Sequence, residues 1–307
     1  MWTRWCCFSG SATVDSGRWY SCGVIVHLNG KLVPLAEARV SPFDRGFLFG
    51  DALYEGLRAF DGRVVEMALH VRRLAGGLKE ARIAWDAARM DALTYELLKA
   101  NGLTDAFIYW QITRGTPGPG DPVRARIPPA GITPTVFGYC VPARALDAYR
   151  EVPMKSCITA RDTRWHRGHV KSTSLLGGVL ASLEADEAGA EDAILVREPL
   201  VAEGTSANVL LAIPDGRGTR LVTPSMESVS ILAGVTRDIL IREVPAIEQR
   251  PVHVLELAKA SEIVLLGTLT MVTAVTRLDG KPVGAGRVGP EATRLMDALV
   301  RAIRTAK

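Results

Sequence analysis

Three dipeptides constrain the fold of this 307-residue chain more than any other feature: Asn29-Gly30, Asp61-Gly62 and Asp279-Gly280. Asn-Gly and Asp-Gly pairs tolerate the left-handed backbone that a two-residue hairpin turn requires, and runs that alternate apolar with polar residues flank them. Val24-Ile-Val-His-Leu precedes the first turn and Lys31-Leu-Val follows it. Ala52-Leu-Tyr-Glu-Gly-Leu-Arg-Ala-Phe precedes the second and Arg63-Val-Val-Glu-Met follows. Antiparallel hairpins are therefore predicted near both ends of the chain. Helical spacing takes over across 68–81 and 86–100, and two more strands are predicted over 106–114 and 135–140. Strands grouped with a helical pair read as α+β, not as alternating βαβ units. The Pro- and Gly-rich stretch 116–134 continues neither element, and loops of this length are often binding loops.

Past a connection at 141–154, the pattern predicts a strand at 156–161, a helix over 173–189, and strands at 193–196 and 208–212. Helices follow after Gly234 and over 254–259, then a strand at 263–266, the Asp279-Gly280 hairpin and a terminal helix from Gly289. The expected architecture is two α+β domains with a cleft between them. Residues 1–23 form an N-terminal extension, 24–140 a small domain, 141–154 a linker and 155–307 a large domain.

Composition narrows the function classes. With 48% hydrophobic and 23% charged residues the chain reads as a soluble globular protein. A net charge of +4, with no basic cluster interleaved with aromatics, argues against nucleic acid as a partner. No run of 18 apolar residues is present, so no membrane-spanning helix is expected. The first 23 residues lack the apolar core and cleavage site of a secretory signal, which points to the cytoplasm. Cys6, Cys7, Cys22, Cys140 and Cys157 are odd in number and have no metal-ligand spacing, so unpaired thiols and no metal site are expected.

Three segments could carry chemistry. Lys171 lies just before a predicted helix, and a partly desolvated amine there could attack a carbonyl. Glu203-Gly-Thr-Ser-Ala-Asn208 is a polar turn between two apolar strands. At Gly234-Val-Thr-Arg a helix starts after a glycine, leaving backbone N–H groups that can bind a phosphate. Each alone is an ordinary feature: a solvated lysine, a common turn, a capped helix.

Their order and content, however, resemble the fold-type IV pyridoxal-phosphate enzymes, the class IV aminotransferases. The resemblance runs from about Val24 to the C-terminus. It is carried by Phe43-Asp-Arg-Gly-Phe-Leu-Phe-Gly-Asp-Ala-Leu-Tyr-Glu, His70-Val-Arg-Arg-Leu, His169-Val-Lys-Ser, Glu203-Gly-Thr-Ser-Ala-Asn, Gly234-Val-Thr-Arg and Gly267-Thr268. It implies pyridoxal 5′-phosphate as cofactor and Lys171 as the catalytic, Schiff-base lysine. Glu203 would face the pyridine nitrogen, and Arg73 would pair with the phosphate, with Arg72 as its neighbour in sequence. Val235, Thr236, Gly267, Thr268, Ser206 and Asn208 would complete the cofactor site. The partners implied are a small amino donor and a 2-oxo acid acceptor, in a homodimer.

For the substrate, Ile108-Tyr-Trp-Gln-Ile-Thr-Arg-Gly-Thr with Pro122-Val-Arg-Ala-Arg126 resembles the D-amino-acid aminotransferase loop that grips a carboxylate. Arg124 and Tyr54 fit that role, while Arg126 stands where the family has a histidine. Tyr54-Glu-Gly-Leu-Arg58 and Gly267-Thr268 instead resemble branched-chain aminotransferases, which makes Arg58 another candidate for the carboxylate. The stretch after Lys171 follows the D-type pattern, with Leu176 where branched-chain enzymes carry tyrosine. D-amino acids, D-alanine for example, are the expected donors and 2-oxoglutarate the expected acceptor. The alternatives are branched-chain L-amino acids, then (R)-amines or an aminodeoxychorismate lyase reaction, and outside catalysis a pyridoxal-phosphate carrier.

Overall fold

The computed structural model describes residues 23–216 and 218–306. Cys6, Cys7, Cys22 and all of the N-terminal extension except Gly23 lie outside them. Strands β1 (Ile25–Leu28) and β2 (Lys31–Pro34) form the first hairpin, and β3 (Ala52–Phe60) and β4 (Arg63–Val64) the second. Asn29 and Gly30 take φ of 51° and 85°, Asp61 and Gly62 48° and 75°, the left-handed pairs that a tight hairpin demands. β4 is shorter than the run Arg63-Val-Val-Glu-Met suggests. Glu66 turns to φ 48° and the chain enters helix α2 (Met67–Ala81) at once.

Helix α3 (Arg89–Asn101), β5 (Ala106–Thr113) and β6 (Val136–Pro142) complete an antiparallel sheet in the order β2-β1-β6-β5-β3-β4. Period-2 alternation on β5 sends Ala106, Ile108, Trp110 and Ile112 to one face, where they pack under α2 and α3 with Leu53, Leu57, Leu74 and Met90. The Trp110 indole is fully buried and donates to Thr94 Oγ1 at 2.9 Å, so its one polar atom is satisfied.

The second sheet is mixed. Its strands are β7 (Met154–Arg161), β8 (Asp192–Arg197), β9 (Leu200–Gly204), β10 (Asn208–Pro214), β11 (Thr219–Pro224), β12 (Ile247–Arg250), β13 (Glu262–Gly267), β14 (Met271–Leu278) and β15 (Lys281–Pro282). They run in the order β12-β11-β10-β13-β14-β7-β8-β9, with β15 paired to β14 across the turn at Asp279-Gly280. Two crossovers carry helices: β7 and β8 are parallel around α4 (Leu176–Glu187), and β11 and β12 around α5 (Val235–Glu243). The terminal helix α6 (Pro290–Thr305) packs with α5 against β13 and β14 through Leu240, Leu295, Leu299 and Val272. Phe60 at the end of β3 joins that same cluster and so ties the two sheets together.

Several elements differ from the sequence expectation. The segment around Phe43 holds a one-turn helix, α1 (Arg45–Phe49), because Asp44 caps it by accepting from Gly46 N at 2.7 Å and Gly50 ends it at φ 64°. Strands β9, β11 and β12 have no counterpart in that expectation: each is six residues or fewer, and none shows a long alternation. Residues 254–259 form a 3₁₀ helix. The helix expected from Thr173 starts only at Leu176, since 171–173 lie extended along β3. Tyr54 N donates to Lys171 O at 3.0 Å, and Thr173 N to Ala52 O at 3.0 Å.

Candidate active site

That short extended pairing fixes Lys171 in space. Its carbonyl is anchored to β3, and its amine lies 4.3 Å from the centre of the Tyr54 ring. Among the described residues the amine makes no hydrogen bond or ion pair. It opens onto a cleft lined by Tyr54, Arg73, Arg164, Glu203, Asn208 and Thr268, among others.

Across the cleft Glu203, at the end of β9, is 4% exposed. Its Oε1 accepts from Arg164 Nη1 at 2.8 Å, and its Oε2 from Asn208 Nδ2 at 3.0 Å and Leu232 N at 3.2 Å. Burial pushes this carboxyl above its ordinary value, against the pull of the Arg164 cation. Arg164 is in turn held by fully buried Asp162, with Nε at 2.9 Å and Nη2 at 3.0 Å, and Asp162 also binds Arg197 Nε at 3.0 Å. A chain of alternating charge, Arg197–Asp162–Arg164–Glu203, thus runs into the cleft. Sequence reading missed Asp162 and Arg164 because the segment after β7 has neither periodicity nor a motif, and Arg197 because it closes β8 as an ordinary strand-end cation.

The cleft also has an anion-binding end. Helix α5 begins at Gly234 with no side chain capping its first turn, so the leading N–H groups at Val235 and Thr236 face the cleft without a side-chain acceptor. A Cβ on Gly234 would lie 1.9 Å from Asn208 Oδ1, so only glycine permits this close approach. Gly267 and Thr268, at the turn after β13, lie in the same lining, as do Thr205 and Ser206. Asn208 pairs with Leu266 across β10 and β13, which keeps the two turns side by side.

Arg73 reaches the cleft from α2 with most of its fork already engaged. Nε and Nη2 donate to the two oxygens of Glu55 at 2.8 and 2.7 Å, and Nη1 donates to Ala233 O at 2.8 Å. Glu55 is fully buried. Burial pushes its carboxyl up, but Arg73 and His70, whose Nδ1 is 2.8 Å away, hold it down to about 2. Arg72 lines a separate groove near Phe60 and Arg304.

Of the sequence-predicted residues, Lys171, Tyr54, Arg73, Glu203, Ser206, Asn208, Val235, Thr236, Gly267 and Thr268 all line one cleft. Arg58, Arg124 and Arg126 do not. The guanidinium groups of Arg124 and Arg126 sit 5.1 and 5.4 Å from the centre of the Phe49 ring, joined there by Arg45 at 4.6 Å. Arg58 is 2% exposed; it packs on Phe60 and donates to Arg144 O and Tyr149 OH. Its Nε and Nη1 have no partner among the described residues. No group of three or more His, Cys, Asp or Glu among the described residues is placed to hold a metal ion. No helix among them is long and apolar enough to cross a membrane.

Known proteins resemble this chain in sequence and in fold. The family described as amino-transferase class IV matches residues 52–278. The D-alanine aminotransferase of Bacillus licheniformis is 34% identical over 290 residues, covering 92% of this chain and 99% of that protein. That of Staphylococcus haemolyticus is 32% identical, covering 91% and 98%. Among solved structures, Escherichia coli branched-chain amino acid aminotransferase superposes with a TM-score of 0.81 at 24% identity, covering 92% of this chain and 95% of that one. The branched-chain amino acid aminotransferase of Thermobaculum terrenum, in its PLP-form, gives 0.78 at 24% identity, covering 92% and 94%. The chain belongs to the class IV aminotransferases, enzymes that use pyridoxal 5′-phosphate.

Proposed function

We propose that this aminotransferase moves the amino group of a D-amino acid such as D-alanine to a 2-oxo acid such as 2-oxoglutarate, with Lys171 as its catalytic lysine. The role of Lys171 is carried by the convergence of one amine without a hydrogen bond, one buried carboxylate and one uncapped helix end on a single cleft, while the choice of a D-amino acid is supported by the likeness to D-alanine aminotransferases. The amine, the carboxylate and the helix end match the three functional parts of the cofactor: an aldehyde, a basic ring nitrogen and a phosphate. When bound, the cofactor supplies the electron sink that accepts the electron pair left by the departing α-proton.

The protein's own groups do the rest. The Lys171 amine would hold the aldehyde carbon and, once released by the substrate amine, its Nζ would move a proton between the substrate α-carbon and C4′ of the cofactor. Glu203 would hold the ring nitrogen in its charged form, with Arg164 and Asn208 fixing the carboxylate's orientation. Val235 and Thr236 N–H, Thr268, Ser206 and the remaining donors of Arg73 would bind the phosphate. Tyr54 covers one side of Lys171 and keeps water from it.

Arg124 and Arg126 lie outside their own subunit's cleft, so their capture of the substrate carboxylate works across a homodimer, each loop serving the partner's cleft. The two sheets are taken as two domains joined near 141–154. A second reading, branched-chain L-amino acids, is supported by the likeness to branched-chain aminotransferases, although Arg58, buried against Phe60 outside the cleft, would not supply its carboxylate site. Incubating the enzyme with 2-oxoglutarate and either D-alanine or L-leucine separates the two. Pyruvate from D-alanine supports the first; the oxo acid of leucine alone overturns it.

A further inference from the structure

Arg237 is a buried cation that no carboxylate neutralises. It is 4% exposed, yet its acceptors are all neutral: Thr223 Oγ1 at 3.3 Å from Nε, and Pro224 O at 2.9 Å and Gln249 Oε1 at 3.1 Å from Nη2. Most of the other buried or half-buried arginines differ, for Arg45, Arg73, Arg114 and Arg164 each meet a carboxylate within 3.0 Å. Burial pushes the Arg237 guanidinium below its ordinary value, with Asp238, Glu227 and Glu203 acting only at longer range. An uncompensated buried charge is costly, so a chain keeps one where a function requires it. Its place in the fold indicates the function. Arg237 belongs to the first turn of α5, directly after Val235 and Thr236, and its Cβ lies 3.6 Å from where a Cβ on Gly234 would stand.

We infer that Arg237 is a positioning residue for the phosphate: its charge, buried beneath the α5 N-terminus, adds to the field of the helix and holds the anion without touching it. The inference rests on the reading that α5 receives the cofactor phosphate. At an effective dielectric of about 20, a buried cation within one helical turn of a phosphate is worth at least about tenfold in affinity, about 1.4 kcal/mol.

The test uses cofactor-free full-length protein and three probes: pyridoxal 5′-phosphate, pyridoxal and inorganic phosphate, with dissociation constants measured by calorimetry or fluorescence. R237Q keeps a hydrogen-bond donor for Pro224 O and removes the charge. The expected result is a loss of about tenfold or more for pyridoxal 5′-phosphate and inorganic phosphate, with pyridoxal unchanged and the cofactor-free melting temperature equal or higher. Equal weakening of all three probes, or no weakening of either phosphate probe, overturns the inference. Should R237Q not fold, R237K decides: with the charge retained it is expected to keep the preference for pyridoxal 5′-phosphate over pyridoxal, and loss of that preference counts against a role for charge. If the wild-type protein itself shows no such preference, the α5 reading fails and not merely the role of Arg237.

Discussion

Replacing Arg164 by methionine removes the cation that joins Asp162 to Glu203. Three charged hydrogen bonds go: two to Asp162, at 2.9 and 3.0 Å, and one to Glu203 at 2.8 Å. Asp162 keeps Arg197 at 3.0 Å and the Arg164 backbone N–H at 3.1 Å, so most of the loss falls on Glu203, which retains only neutral donors. Breaking a buried pair by removing one partner costs about 3–5 kcal/mol, and methionine restores part of the stem packing without changing that scale. The pH dependence follows from the two carboxyls. Glu203 has a folded pKa above its unfolded value, a liability that grows as pH rises through the carboxylate range, and losing Arg164 enlarges it. Burial raises Asp162, but Arg164 and Arg197 together hold it below its ordinary value, a stabilisation present above the unfolded pKa and lost as pH falls. Losing Arg164 removes part of it. Both signs agree: the R164M deficit is largest near neutrality and shrinks on acidification. Urea unfolding of the cofactor-free protein is expected to show about 3–5 kcal/mol near pH 7 and less than half of that near pH 4. A deficit below about 1 kcal/mol, or one equal at both pH values, would refute the reasoning.

Glu55→Gln takes away the carboxylate shared by Arg73 and His70. Because the folded pKa is about 2 against 4.5, its stabilisation exists above the unfolded value and is lost as pH falls from 4.5 toward 2, so denaturation of wild type and variant should converge in acid. Gly234→Ala has φ of −72°, so the backbone tolerates it, but its Cβ would press to 1.9 Å from Asn208 Oδ1. Displacement of Asn208 from Glu203 should weaken cofactor binding by at least about tenfold, read by equilibrium dialysis; an unchanged affinity would show that the contact relaxes at no cost. Leu57→Ala, at a fully buried position under α2, should lower stability by about 2–5 kcal/mol in the same urea assay, and a smaller loss would mean that the site collapses.

The cleft residues are named in the sequence through the order of motifs that resembles a family, while local rules by themselves give only turns and helix starts. Gly234 before an uncapped turn and Glu203 before Asn208 are each written within a few residues, and the hairpin dipeptides dictate their own backbone. What is not legible depends on pairing distant in sequence. The extended stretch 171–173 owes its conformation to β3, more than a hundred residues earlier, which overrides the helical pattern that begins at Thr173. β9 is short and nearly wholly buried, so its residues lack the alternation that marks a half-exposed strand. The positions of Arg58, Arg124 and Arg126 show the same limit. Their charge invites a carboxylate, but whether they reach the cleft depends on sheet face and loop path, which spacing alone does not encode.

The central claim is that Lys171 carries the cofactor, and borohydride reduction followed by peptide mass mapping tests it most directly. Protein reconstituted with pyridoxal 5′-phosphate, then reduced and digested, should yield one phosphopyridoxyl-modified peptide containing Lys171, and K171A should yield none. A principal adduct on any other lysine, or an equal yield from K171A, would contradict the account.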